Sequence, residues 1–143
     1  MKTWTATATA AATPESVLDV LTDPAAARRW APVDFEVDTA SRLSPGDRTR
    51  VSGRLAGRDV GFDVQVHDAD PRRLTLTATG PVGFDVRYDL APVCGGTEVR
   101  ASVSVRSGGG LGGRVLAHAT AALLSAGALP TAVSRIAREA ATC

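Results

Sequence analysis

The chain has 143 residues, 16 basic against 15 acidic side chains, and 44% hydrophobic residues; residues 1–143 are thus expected to form one domain with a sizeable core. Its formal charge of +1 sets nucleic acid and anionic membrane surfaces aside as partners. No apolar run approaches the roughly 18 residues of a membrane span or forms a signal-peptide core, so the expected setting is the cytoplasm, with Cys94 and Cys143 as free thiols.

After Trp4, Thr alternates with Ala, which makes Thr3 to Ala11 a first strand. Thr13-Pro14-Glu15-Ser16 supplies an N-cap, a proline for the first helical position and an acidic first turn. A short helix follows to about Thr22, with Val17, Leu18 and Leu21 on one face. Asp23-Pro24 restarts the chain, and Ala25 to Trp30 forms a second short helix closed by Pro32. Phe35 and Val37 mark a second strand, and after the turn Ser44-Pro45-Gly46-Asp47 the residues Arg48 to Leu55 make a third.

Period two then persists to Arg106. Val60, Phe62, Val64 and Val66 share a face; Leu74, Leu76 and Ala78 follow, then Phe84, Val86, Tyr88 and Leu90, then Val99, Ala101, Val103 and Val105. Asp68 to Pro71 and Gly95-Gly96 punctuate these runs. About seven antiparallel strands result, each with one wet and one dry face, and their short connections favour a meander. Lys2 apart, every basic residue is arginine; with abundant Ala, Gly and Val this reads as the codon bias of a GC-rich bacterial genome. Arg50, Arg54, Arg87 and Arg100 alternate with acids as a solvated outer surface.

Ser107 to Gly113 is glycine-rich, but no Lys-Ser or Lys-Thr closes it and the strand before it is antiparallel. A hinge fits this run better than a phosphate loop. From Arg114 to Ala141 the apolar residues Val115, Ala119, Ala122, Ala126, Leu129, Val133, Ile136 and Ala140 recur at steps of four and three. The spacing predicts one long helix with a single apolar stripe. Gly127 and Pro130 should kink or break it. Leu124 lies opposite the stripe, where it meets a partner or is turned inward by the kink.

Thr13-Pro14-Glu15-Ser16-Val17, Leu21-Thr22-Asp23-Pro24 and Trp30-Ala31-Pro32 resemble the N-terminal stretch of the polyketide cyclase/dehydrase group of the SRPBCC superfamily. Val66-His67-Asp68-Ala69-Asp70-Pro71-Arg72-Arg73-Leu74, and Tyr88-Asp89-Leu90-Ala91-Pro92 followed by Gly95-Gly96-Thr97-Glu98-Val99, are similar to strand ends and a hairpin of the same group. The resemblance implies an α+β, START-like helix-grip fold: about seven antiparallel strands curved around a long C-terminal helix, with two short helices between strands one and two. It also implies an interior cavity for an apolar small molecule.

On that fold the dry faces nominate Trp30, Phe35, Val51, Phe62, Val64, Leu76, Phe84, Val86, Tyr88, Val103, His118, Ala122 and Ala126 as ligand-binding residues. The alternative is a collapsed interior that binds nothing. Tyr88 is either a donor to a ligand carbonyl or a core tyrosine, and His118 either an acid/base group at the stripe edge or a structural residue. Trp30 either caps the cavity or anchors its helix. His67 falls on the wet face with no second histidine near it, so no metal is expected, and no cofactor. The leading expectation is binding or transport of a hydrophobic lipid, aromatic or polyketide-like molecule by a monomer or homodimer. A cofactor-free cyclase or dehydratase using His118 or Tyr88 is the alternative; a partner-binding module and a self-sacrificing antibiotic-resistance protein are further ones.

Overall fold

The structure, a computed structural model, describes residues 2–23, 25–26, 35–37, 44–55, 58–80, 83–106, 121–122, 125 and 127–141. Its elements are β1 (Lys2–Ala10), α1 (Pro14–Thr22), β2 (Phe35–Val37), β3 (Arg48–Leu55), β4 (Arg58–Asp70), β5 (Arg73–Thr79), β6 (Gly83–Val93), β7 (Gly96–Arg106) and α2 (Ala128–Ala141). The strands form one antiparallel sheet in the order β1-β7-β6-β5-β4-β3-β2. Six of them make its body, while β2 adds only three residues at the far edge. Hence β2 to β7 is a meander, and β1 returns beside the last strand. The segment between β1 and β2, which contains α1, therefore has to carry the chain from one edge of the sheet to the other.

Local chemistry sets the element ends. The Thr13 hydroxyl accepts from the Ser16 amide at 3.2 Å and Pro14 opens α1, while the Asp23 amide closes it on the Asp19 carbonyl. The second short helix expected at Ala25 to Trp30 is described only at Ala25 and Ala26, which are helical; Arg28 to Trp30 lie outside the described residues. β4 runs on to Asp70, further than the sequence suggested. A bulge at His67 shifts the register, after which Ala69 pairs with Leu74. Asp70 then caps the Pro71-Arg72 turn by accepting from the Arg72 and Arg73 amides at 2.8 and 3.1 Å.

One face of the sheet carries the core. Val66, Leu74, Tyr88, Leu90, Val99 and Ala101 pack against Val17, Val20 and Leu21 of α1 and against Leu129, Val133, Ile136 and Ala140 of α2. Those four α2 residues are the C-terminal half of the stripe read from sequence. Of its N-terminal half Ala122 is described, and it is exposed; the helix expected from Arg114 to Ala141 is interrupted at Gly127, within the stretch where Gly127 and Pro130 were expected to kink or break it. Gly127 sits at φ +99°, a left-handed conformation outside any helix, and its carbonyl accepts the first intrahelical bond of α2 from the Thr131 amide at 3.2 Å. Residues 121, 122 and 125 are helical before it, and 107–120 lie outside the described residues.

This start explains how Pro130 is accommodated. It is the third residue of α2, where a backbone N–H has no intrahelical acceptor in any case. The break therefore falls at Gly127, three residues before the proline. Gly127→Ala should destabilise the fold by about 1–2 kcal/mol, because alanine at that φ is strained. Pro130→Ala should change stability by less than about 0.5 kcal/mol. In an unbroken helix both substitutions would instead stabilise, by about 1 and about 3 kcal/mol; urea unfolding of the two variants distinguishes the cases.

Candidate functional site

Strand register arranges the inward side chains in rows across the sheet. Ala69, Leu74, Tyr88, Ala101 and Ala6 form one row; Val66, Leu76, Val86, Val103 and Trp4 the next; Thr49, Val64, Ala78, Phe84 and Val105 a third. Alongside the third row, Val51 faces Phe62. Alternation places these on one face, Ala69 being brought onto it by the bulge at His67.

The rows differ in how far they are covered. Leu74, Tyr88 and Ala101 are buried beneath the helices, whereas Leu76, Val86, Val103, Phe84, Phe62 and Val51 point the same way yet stay half-buried. Inward-facing apolar side chains that keep open surface make this end of the face the candidate wall of a small-molecule site. At this end the Phe62 and Phe84 rings lie 5.3 Å apart, tilted by 54°, with Val60 and Val105 beneath them in a small cluster distinct from the main core. Gly80 keeps room for the Phe62 ring, since a Cβ there would sit 2.8 Å from its edge.

Of the residues nominated from sequence, Val51, Phe62, Val64, Leu76, Phe84, Val86, Tyr88 and Val103 share this face. Ala122 is exposed, and the turn at Gly127 separates it from the α2 stripe. Trp30, His118 and Ala126 lie outside the described residues, as do the Leu124 and glycine-run readings; Phe35 pairs with Gly53 through its backbone. Thr49 was not nominated. It lies inward beside Val64, and its hydroxyl is buried without a hydrogen-bond partner.

Tyr88 is 6% exposed, and burial pushes its phenol well above the ordinary value of 10.0. Strand register also assigns Lys2 and Arg58 to this face; among its other described residues Tyr88 is the one titratable side chain. Held protonated at neutral pH, it can donate a hydrogen bond but supplies no base.

The outer face is polar and internally paired. Thr3 bonds Ser104 at 2.8 Å, Arg50 meets Asp63 at 3.1 Å, and the Arg87 guanidinium grips Asp89 at 2.9 and 3.0 Å. His67 Nε2 lies 2.8 Å from the Thr77 hydroxyl, which donates to Asp85 at 3.3 Å. Thr77 has a single proton, so where it goes to Asp85 the donor to the hydroxyl is Nε2–H. Such a chain hands the hydroxyl proton to the carboxylate and leaves the imidazole no proton to accept from it, the reverse of an activated nucleophile. No group of three His, Cys, Asp or Glu suited to a metal ion occurs among the described residues. Cys94 is an exposed free thiol, and no described helix is long and apolar enough to cross a membrane.

Because Tyr88 is the only tyrosine in the sequence, its titration can be read without ambiguity. Tyrosinate absorbance should stay flat through pH 10 to 11 in the folded protein and rise only with unfolding. Below the unfolded value the unfolded and folded forms carry the same proton. Above it the unfolded chain loses the proton first, so stability should fall by up to about 1.4 kcal/mol per pH unit.

The fold has many counterparts. TTHA0849 from Thermus thermophilus superposes with a TM-score of 0.73 at 17% identity, covering 99% of this chain and 98% of that one. A Rhodobacter sphaeroides protein gives 0.65 at 25% identity over 98% and 90%. DynU16, from the dynemicin biosynthetic locus, gives 0.61 at 20% over 96% of this chain and 46% of its own. A search of curated proteins finds no match to the sequence. Residues 1–141 match the family described as polyketide cyclase / dehydrase and lipid transport, with the strand ends and hairpin of the sequence motifs in the expected places. The chain is therefore a member of the polyketide cyclase/dehydrase and lipid transport family, within the SRPBCC superfamily.

Proposed function

We propose that the chain binds and carries a hydrophobic small molecule, seated on the inward face of the sheet between the Phe62–Phe84 pair and the row Leu76, Val86 and Val103. The observation that carries this reading is the half-burial of those inward side chains, beside a core that is closed at the Tyr88 row. Apolar surface left uncovered inside a fold is the usual wall of a small-molecule site. Two phenyl rings at such a separation favour a flat aromatic guest, which can extend their tilted packing.

Membership of a family described by both cyclisation and lipid transport is compatible with carriage and with turnover. Carriage is the better-supported of the two. Proton transfer on a bound chain needs a group that ionises near neutral pH; among the described residues the inward sheet face offers Tyr88, whose phenol is pushed the other way, so turnover would fall to His118, which lies outside them. The polyketide cyclase / dehydrase part of the family description supports a polyketide-like guest.

The test is thermal unfolding with 2-acetylnaphthalene as probe. At a hundredfold excess over Kd, binding should stabilise the protein by about 2.7 kcal/mol, raising Tm by about 8 °C for a domain of this size. Phe84→Ala should weaken binding about tenfold through loss of the ring contact, as read by isothermal titration on a variant whose circular dichroism is unchanged. No shift with the wild-type chain at saturating probe would end the carrier reading.

A further inference from the structure

We infer that Thr49 is the polar recognition point of this cavity, and that the guest it selects carries a hydrogen-bond acceptor oxygen next to an aromatic ring. The inference rests on the carrier reading above and narrows it to a ligand class, aromatic ketones and related oxygenated rings.

Three observations converge on it. The Thr49 hydroxyl oxygen is closed off from solvent and has no hydrogen-bond partner. The other buried threonines are satisfied: Thr97 donates to the Ala12 carbonyl at 2.7 Å and Thr22 to the Leu18 carbonyl at 2.8 Å. A buried hydroxyl left unpaired is costly, and in a native structure it calls for a missing partner. Second, β3–β4 pairing puts Thr49 on the inward face beside Val64, one pair along from Val51 and Phe62. Third, the same row continues through Ala78, whose small side chain separates Val64 from Phe84. The polar group and the aromatic pair thus belong to one patch of wall.

Thr49 as a residue is only half-buried although its oxygen is shut in. A single step between staggered χ1 states moves the hydroxyl to the position held by the methyl group or by Hβ. In the proposed complex that step turns the hydroxyl toward the guest, where it donates to a carbonyl or ether oxygen while the ring of the guest packs on Phe62 and Phe84. The hydrogen bond relieves an unmet need in the empty protein, so it discriminates between guests of equal shape.

The experiment uses two probes of nearly the same shape, 2-acetylnaphthalene and 2-isopropenylnaphthalene, with the intact chain and its Thr49→Val and Thr49→Ser variants. Thr49→Val should weaken binding of the ketone about tenfold and leave that of the hydrocarbon within about twofold. Thr49→Ser, which keeps the hydroxyl, should retain most of the preference. In the absence of any probe, Thr49→Val should raise Tm by about 3 °C, because it removes an unpaired buried hydroxyl. Equal effects on both probes, or a lower Tm for probe-free Thr49→Val, would overturn the role of Thr49 while leaving the carrier reading intact. Failure of both probes to bind the wild-type chain would remove the carrier reading, and this one with it.

Discussion

A helix of 14 residues is about 21 Å long and about 10 Å across, whereas a sheet of seven strands spans about 29 Å between its outer strand axes, with β4 alone 13 residues in length. Among the described elements, helix α2 therefore cannot by itself cover the inward face, and α1, shorter still, packs near the Tyr88 row. Twist curls the sheet toward the helices and reduces the mismatch. What remains decides the character of the molecule: a closed end where helix and sheet exclude water, and an end where apolar side chains keep open surface.

That division separates stability from recognition. Ile136, Val133, Leu74, Val66 and Val99 are almost wholly buried at the closed end, and core side chains of this kind are costly to truncate. Phe84 and Tyr88 both point inward from β6 but stand four residues, about 13 Å, apart. Perturbations at that separation with no shared partners act nearly independently. The wall at the Phe62–Phe84 end can thus vary with the guest at little expense to the core.

The strands were legible because antiparallel amphipathic segments state their faces residue by residue; Val60 to Val66 and Phe84 to Leu90 needed no tertiary knowledge. The cap at Thr13-Pro14 and the turn at Asp70-Pro71 were legible for another reason, since those residue types have few other backbone uses. The bulge at His67 carried no glycine or proline to announce it. The break was announced by Gly127 and Pro130, although steps of four and three run on across them; its place, at a left-handed Gly127, needed the structure. Thr49 was placed correctly by the alternation of Arg48 to Leu55, yet a threonine on an apolar face looks like β-branched filling. Whether its hydroxyl has a partner depends on residues far away in sequence, and no local pattern records that.

Polar satisfaction is what gives the Thr49 position its meaning. The outer face holds Thr3, Thr5, Thr75 and Thr77, all hydrogen-bonded to side chains of neighbouring strands, and each of those groups also has water within reach. Paired hydroxyls at such a surface contribute little net energy and carry little specificity. An inward hydroxyl has no such alternative. It must find a partner within the fold, as Thr97 does in the Ala12 carbonyl, or stay unpaired until something enters. A sheet with one wet and one dry face thereby turns the same residue type into two different devices. On the wet side it ties strands together. On the dry side, at Thr49, it leaves a hydroxyl without a partner among apolar neighbours.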